Sequence, residues 1–216
     1  MTKTKSNSIS IIGGSGFVGS CLQKELDNFS VLDKRLNGLE FVDITVRETL
    51  TSKLLPSDSI VLLAAEHRDD ISPVSKYYET NVQGTKNILD EMDKVGCKNL
   101  IFTSSVAVYG LNKSNPDENF NADPFNHYGK SKWQAEQAIK QWFDNDPDGK
   151  SVTIIRPTVI FGEKNRGNVY NLLRQIASRK FLMIGKGHNK KSMAYVGNVV
   201  AFIKHRLEMA EEGYHV

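Results

Sequence analysis

The apolar residues of this chain fall into two patterns: short continuous runs, and longer stretches where they recur at helical spacing. Runs such as Ile60-Val61-Leu62-Leu63-Ala64 and Leu100-Ile101-Phe102 contain no polar position, as strands covered on both faces require. The pattern predicts strands over 8–12, 30–33, 39–42, 59–64, 98–103 and 151–155. Helices are predicted over 17–28, 46–54, 73–95, 131–143, 169–179 and 197–211. Ser72-Pro73 is expected to start the third helix, with serine as cap and proline at the first helical position, and Gly96 to end it. The polar stretch 111–126, with Pro116 and Pro124, reads as a loop. Strands alternating with helices predict an α/β fold with a doubly wound parallel sheet, whose ligands bind beyond the carboxyl ends of the strands.

Composition narrows this picture only a little. At 216 residues the chain is long enough for one large α/β domain, or one domain plus a fragment of another. The net charge is only +3, and the lysines are scattered except around Lys186, Lys190 and Lys191. No basic stripe with interleaved aromatics is present, so nucleic-acid binding is not expected. The polar opening lacks an apolar signal core and no apolar run approaches the ~18 residues of a membrane span, so none is expected. Cys21 and Cys97 do not form a disulfide framework, and a reduced, cytoplasmic protein is expected. No metal site is read from the sequence.

The first candidate site follows the first strand, where Gly13-Gly14-Ser15-Gly16-Phe17-Val18-Gly19 leads into a helix. Gly13 suits a tight turn, Gly16 lets a pyrophosphate approach the backbone, and Gly19 lets the helix pack on its strand. The helix presents its positive N-terminal end to the anion. Asp33 ends the second strand about 20 residues on, where a carboxylate can bind both ribose hydroxyls of NAD. Gly13, Ser15, Gly16, Phe17, Val18, Gly19, Asp33 and Lys34 are the candidate cofactor contacts here.

The second constellation carries chemistry. Tyr128 and Lys132 stand four residues apart and share a face if they open a helix. A phenol titrates near 10 and is a poor base at neutral pH. A neighbouring ammonium and an oxidised nicotinamide would favour its phenolate, letting Tyr128 take a proton from a hydroxyl while the carbon loses hydride. Lys132 also suits the nicotinamide ribose hydroxyls. The strand ending in Thr103-Ser104-Ser105 would place hydroxyls beside that ring. Ser105 is either a partner for the reacting oxygen or simply the serine that turns the chain out of the sheet. Ser104 is expected to be structural.

Taken in order, Gly13-x-x-Gly16-x-x-Gly19, Asp33, Asp43-Ile44, Ala64-Ala65, Asn81-Val82-Gln83-Gly84-Thr85, Ser104-Ser105, Tyr128-x-x-x-Lys132 and Arg156-Pro157 resemble the extended short-chain dehydrogenases/reductases, the NAD-dependent epimerase/dehydratase family of nucleotide-sugar enzymes. The resemblance implies a Rossmann domain over 1–160. It also implies a partial substrate-binding region over 161–216, interleaved with the Rossmann core. It assigns Asp43 to the adenine amino group, Ile44 to the flank of that ring, and Ala64 and Ala65 to the cofactor ribose. Asn81 becomes the helix asparagine near the active site, or else a packing amide. Ser105, Tyr128 and Lys132 match the catalytic trio, with Thr103, Pro157 and Thr158 along the nicotinamide.

Departures from the family pattern refine the expectation. Val106 and Ala107 occupy the places where sugar 4,6-dehydratases carry an Asp-Glu pair, so water elimination has no evident catalyst. Lys191 is the nearest match to the arginine that holds a nucleotide diphosphate, and is otherwise a solvated loop residue. Ser105, Val106, Tyr128 and Lys191 are the expected substrate contacts. Asn198 replaces the usual acidic residue after Tyr195-Val196. Gly213-Tyr214-His215-Val216 reads like the start of another strand, and the resemblance implies a chain that continues further. The expected function is NAD-dependent epimerisation, at C4, of a nucleotide-diphosphate sugar such as a UDP-sugar. The alternatives are an NAD(P)H-dependent reductase and a non-catalytic dinucleotide sensor. Asp33 disfavours NADP, although Lys34 and Arg35 follow it. The resemblance also implies a homodimer through a four-helix bundle, with Trp133, Ala138 and Trp142 supplying contact area unless the tryptophans pack within the subunit.

Overall fold

A computed structural model describes residues 8–56, 59–68, 70–183, 185–188 and 190–216. Six strands form one parallel sheet. They are β1 (Ile9–Ile12), β2 (Phe29–Leu32), β3 (Ser59–Leu62), β4 (Asn99–Thr103), β5 (Ser151–Ile155) and β8 (Gly213–His215), in the order β2-β1-β3-β4-β5-β8. Ile9 pairs with Phe29 on one side and Ser59 on the other, so both neighbours of β1 run parallel to it from the same level. The order reverses direction between β1 and β3, which opens a crevice at the carboxyl ends of these strands. Two further strands, β6 (Val159–Phe161) and β7 (Met193–Tyr195), pair with each other outside this sheet.

The continuous apolar runs are buried on both faces. Adjacent residues point to opposite sides. Ile12, Leu62 and Phe102 join one core with helices α3 (Gly84–Val95) and α4 (His127–Asn145), through Ile88, Met92, Ala135 and Ile139. Ile11, Val61 and Ile101 join the other with α1 (Phe17–Leu22) and α6 (Val196–Met209), through Leu22, Val196, Val200 and Ile203. Residues beyond 195 therefore return to the main sheet through α6 and β8. The segment from β6 to β7, with helix α5 (Asn168–Ala177), lies outside it.

Several elements differ from the sequence expectation. The strand over 39–42 is absent. Gly38, at φ +66°, starts a 3-10 turn, and Asp33 exchanges backbone bonds with this loop (Asp33 N to Glu40 O, 3.0 Å; Val42 N to Asp33 O, 3.3 Å). The helix over 46–54 is a single 3-10 turn, Arg47–Thr49, because its apolar spacing comes from Leu50 and Leu54 plugging the core from a loop. Helix α1 stops at Leu22, where the Gln23 amide turns back to the carbonyls of Gly14 and Gly19. Ser72 caps nothing: α2 (Ser75–Tyr78) starts after Val74 and passes through a π-turn, Glu79–Gln83, into α3. Gly96 does close α3, at φ +70°, with the Cys97 amide donating to Met92 O at 2.8 Å. Helix α4 starts four residues before its expected beginning, because the Asn126 side chain accepts from Gly129 N at 2.8 Å.

Candidate active site

The site lies where β1, β2, β3 and β4 end. Gly13 leaves β1 at φ +83°, and a Cβ there would stand 2.4 Å from Ala64 N, at the end of β3. A Cβ on Gly19 would stand 2.4 Å from Gly14 O. Both glycines are thus required by close backbone packing. Gly16 differs: its φ is −75°, and the nearest atoms to a Cβ would be Gly13 O at 3.3 Å and Arg35 Nη2 at 3.6 Å. Phe17 and Val18 follow directly as the opening residues of α1, which has no side-chain cap.

Asp33 is 4% exposed and accepts hydrogen bonds from Ser15 N (3.1 Å), Ser15 Oγ, Arg35 N (3.0 Å) and Arg35 Nε (3.4 Å). Burial opposes its charge, but the bonds from Ser15 and Arg35 and the guanidinium charge hold the carboxyl below its ordinary range. Lys34 is exposed and takes no part in these bonds; the residue that meets Asp33 is Arg35. Ala64 and Ala65 continue from β3, with Ala64 N donating to Ile12 O at 2.9 Å. Asp43 accepts from the Thr45 amide (3.0 Å) and hydroxyl (2.8 Å). Ile44 is buried against Gly84, so it serves the core as well as any ring beside it.

The Asn81 amide is engaged inside the protein, accepting from Glu66 N (2.8 Å) and donating to Glu66 O and Ser131 Oγ (2.9 Å each). It ties the segment after β3 to α4, the packing alternative that the sequence left open. At the end of β4, Thr103 Oγ1 is buried without a hydrogen-bond partner among the described residues. Ser105 Oγ accepts from Ala107 N at 3.1 Å and caps the turn Val106–Tyr109. Val106 N donates to Pro157 O at 3.2 Å, which zips the segment carrying Pro157 and Thr158 alongside.

Tyr128 lies in the first turn of α4 and Lys132 in the next. Tyr128 is half-buried, its ring 6.4 Å from that of Tyr77. A Cβ on Gly129 would stand 2.5 Å from Ala107 O, so α4 presses directly on the turn that Ser105 caps. Lys132 is 2% exposed, and its ammonium sits 4.3 Å from the centre of the Phe102 ring. Burial pulls its pKa down to about 7, against the opposing charge of Glu136.

Sequence reasoning missed the group beneath these residues. Glu136 is 1% exposed and accepts from Ser104 Oγ and from Arg156 (Nε 3.2 Å, Nη2 2.6 Å). Arg156 Nη1 also donates to Tyr109 OH at 3.0 Å. Burial disfavours the guanidinium charge, but the Glu136 and Tyr109 bonds outweigh it and raise the Arg156 pKa. The available signal was Glu136 itself, one turn beyond Lys132 on the same helix face. Lys191 is exposed, on the stretch that leads into β7. Trp142 is buried within the subunit, donating to Asp93 Oδ1 at 2.6 Å with Lys150 over its ring, so it supplies no intersubunit area. Among the described residues there is no metal-binding cluster, and no helix is long and apolar enough to cross a membrane.

A glycine turn ending the first strand, an acidic residue ending the second, and a crevice where the strand order reverses between β1 and β3 define a dinucleotide-binding α/β protein. Residues 9–216 match the NAD dependent epimerase/dehydratase family, and the chain belongs to that family. It is 56% identical over 218 residues to the N-acetyl-alpha-D-glucosaminyl-diphospho-ditrans,octacis-undecaprenol 4-epimerase of Escherichia coli O157:H7, covering 97% of this chain and 66% of that protein. It is 33% identical over 156 residues to a UDP-glucose 4-epimerase of Rhizobium meliloti, covering 64% of this chain and 48% of the relative. The chain thus spans two thirds or less of each. Its fold is shared with MoeE5 solved with UDP-glucose and NAD (TM-score 0.81, 21% identity, 97% of this chain and 74% of that one). It is also shared with the dTDP-glucose 4,6-dehydratase DesIV of Streptomyces venezuelae (TM-score 0.82, 23% identity, 96% and 74%).

Proposed function

We propose that this chain carries the catalytic part of an NAD-dependent C4-epimerase whose sugar is linked through a diphosphate to a polyprenol. The observation that carries the reaction is Lys132, a buried ammonium one helical turn from Tyr128, on a helix pressed against the Ser105 turn. The substrate class is supported by the 56% relative, whose sugar rides on an undecaprenol diphosphate. It differs from the nucleotide sugar that the sequence suggested, which the UDP-glucose relative continues to favour as a second reading.

The residues present fit NAD. Gly16 leaves its backbone approachable where the protein's own packing does not require glycine, Asp33 keeps a carboxylate at the end of β2 whose bonds from Ser15 and Arg35 ribose hydroxyls would have to share, and the buried Thr103 hydroxyl has no hydrogen-bond partner among the described residues. Bound there, NAD would supply a hydride acceptor for the sugar carbon and the source of the returning hydride. Tyr128 removes the proton from the C4 hydroxyl and later restores it. Ser105 would hold the reacting oxygen, and Lys132 would favour the phenolate and is the residue to hold the nicotinamide ribose. Val106 and Ala107 offer no acid or base for loss of water. A homodimer through α3 and α4 is a lesser part of this proposal, because Trp142 is already used within the subunit.

The test incubates the purified chain and NAD with N-acetylglucosaminyl-diphospho-polyprenol of short chain length, and separately with UDP-N-acetylglucosamine. The expected result is the galacto product from the lipid substrate. Conversion of the UDP-sugar alone would return the assignment to nucleotide sugars. Net consumption of NADH or NADPH with a keto-sugar would favour the reductase.

A further inference from the structure

We propose that Glu136 is a positioning residue of the active site: its carboxylate is the counter-charge of the Lys132 ammonium, and its bonds fix the strand end that carries Ser105. The inference rests on the proposed function, in which Lys132 acts on Tyr128 as a cation. Glu136 and Lys132 are both buried within the described chain, so neither waits on further cover.

Glu136 gathers three segments that end at the site. It follows Lys132 by one turn of α4, on the same face of the helix. Its Oε1 accepts from the hydroxyl of Ser104, the residue before Ser105, and from Arg156 Nε at 3.2 Å. Its Oε2 accepts from Arg156 Nε at 3.2 Å and from Nη2 at 2.6 Å. Arg156 directly precedes Pro157, whose carbonyl accepts from Val106 N at 3.2 Å. One carboxylate therefore ties the ends of β4 and β5 to the opening turns of α4.

The charges point the same way. A cation buried without an anion is costly, and the interior here holds two, Lys132 and the Arg156 guanidinium. Three acids are buried among the described residues: Asp33, Glu91 and Glu136. Asp33 pairs with Arg35 and Glu91 with Lys94, which leaves Glu136 to answer both interior cations. Lys132 forms no salt bridge among the described residues and otherwise faces the Phe102 ring. The Glu136 charge opposes the burial that pulls Lys132 down to about 7. The remaining ionisable groups around this cluster are phenols. Tyr128 shares the start of α4, Tyr109 accepts from Arg156 Nη1 at 3.0 Å, and burial with the Glu136 charge pushes the Tyr214 phenol of β8 up, so that it stays neutral. A neutral amine at position 132 could not favour the Tyr128 phenolate, so the Glu136 charge extends the pH range in which Lys132 serves the reaction.

The experiment follows the Lys132 titration by NMR in the ligand-free chain, isotope-labelled at lysine Cε, with the resonance identified by its loss in Lys132→Met. Glu136→Gln keeps an acceptor for Ser104 but removes the charge, and is expected to lower the titration by about one pH unit or more. Glu136→Asp restores the charge and should return most of that shift. In turnover near neutral pH, Glu136→Gln should lose about tenfold in kcat with a smaller change in KM, as the ammonium fraction falls. Should Glu136→Gln fail to fold with Arg156 unpaired, Glu136→Gln/Arg156→Gln removes both charges of the pair. Its Lys132 should still titrate below that of the parent, because the charge acting on Lys132 is that of Glu136. An unchanged titration in the glutamine variants, or an aspartate variant that titrates like them, overturns the proposal and leaves Glu136 as the structural partner of Arg156. The titration needs neither cofactor nor sugar. Failure of the epimerase reading therefore shows separately, as the expected titration shift in a chain whose parent turns over neither sugar.

Discussion

Gly16→Ala separates what the cofactor requires from what the fold requires. At φ −75° alanine meets no backbone strain, and its Cβ would lie 3.3 Å from Gly13 O, a contact relieved by a few tenths of an ångström. Alanine is a poorer helix cap than glycine but leaves the unfolded chain less entropy, so folding stability should stay within about 1 kcal/mol of the parent. The ligand side is different. A methyl group there would hold a pyrophosphate off the turn and weaken one or two charge-assisted hydrogen bonds of about 1.5–3 kcal/mol each. A loss of about 3 kcal/mol corresponds to roughly a hundredfold rise in the Kd for NAD. Gly13→Ala gives the contrasting result. It forces a left-handed conformation costing about 1–2 kcal/mol and drives a Cβ to 2.4 Å from Ala64 N, so it should fail in urea unfolding before any binding is measured. Calorimetric NAD titration of the Gly16 variant, beside urea unfolding of both, checks this. A Gly16→Ala protein that binds NAD as tightly as the parent refutes the reasoning.

Other consequences follow from the buried groups. Glu136→Leu leaves the Arg156 guanidinium, 9% exposed, without its carboxylate, and should cost about 3–5 kcal/mol in urea unfolding; Glu136→Gln should cost less, because it keeps an acceptor for Ser104. Asn81→Ala strands the Glu66 amide and carbonyl and should lower stability by about 2–3 kcal/mol, read in the same assay. Lys132 titrates at about 7 when folded and near 10.4 when unfolded, so between those values the unfolded chain holds more protons. The ligand-free protein should therefore gain stability as pH rises through that window, by up to about 1.4 kcal/mol per pH unit, and Lys132→Met should flatten the slope in unfolding curves recorded from pH 7 to 9.

Much of this was legible in the sequence where a local rule and a tertiary requirement agree. The glycine turn, Asp33 and the two-faced strands all read correctly as structure, because a buried parallel strand leaves no choice about its residues. The three-residue strands β6 and β7 did not. β6 and β7 exist only through their mutual pairing, and no local pattern specifies that. The apolar spacing of 46–54 mimicked a helix because Leu50 and Leu54 fill the core from a loop. The start of α4 depends on the Asn126 cap and on Gly129 meeting Ala107, a contact across 22 residues of sequence. The Glu136–Arg156 pair was hidden for the same reason: its members lie 20 residues apart on a helix and a strand end.

The central claim is that one carbon loses and regains the same hydride under Tyr128. A diphospho-linked sugar carrying deuterium at C4 tests it directly, with the product analysed by mass spectrometry. The account predicts that the epimerised sugar keeps its deuterium in ordinary water, and that Tyr128→Phe suppresses turnover while still binding NAD. Loss of the label to solvent in the parent protein, or full turnover by the phenylalanine variant, would contradict it.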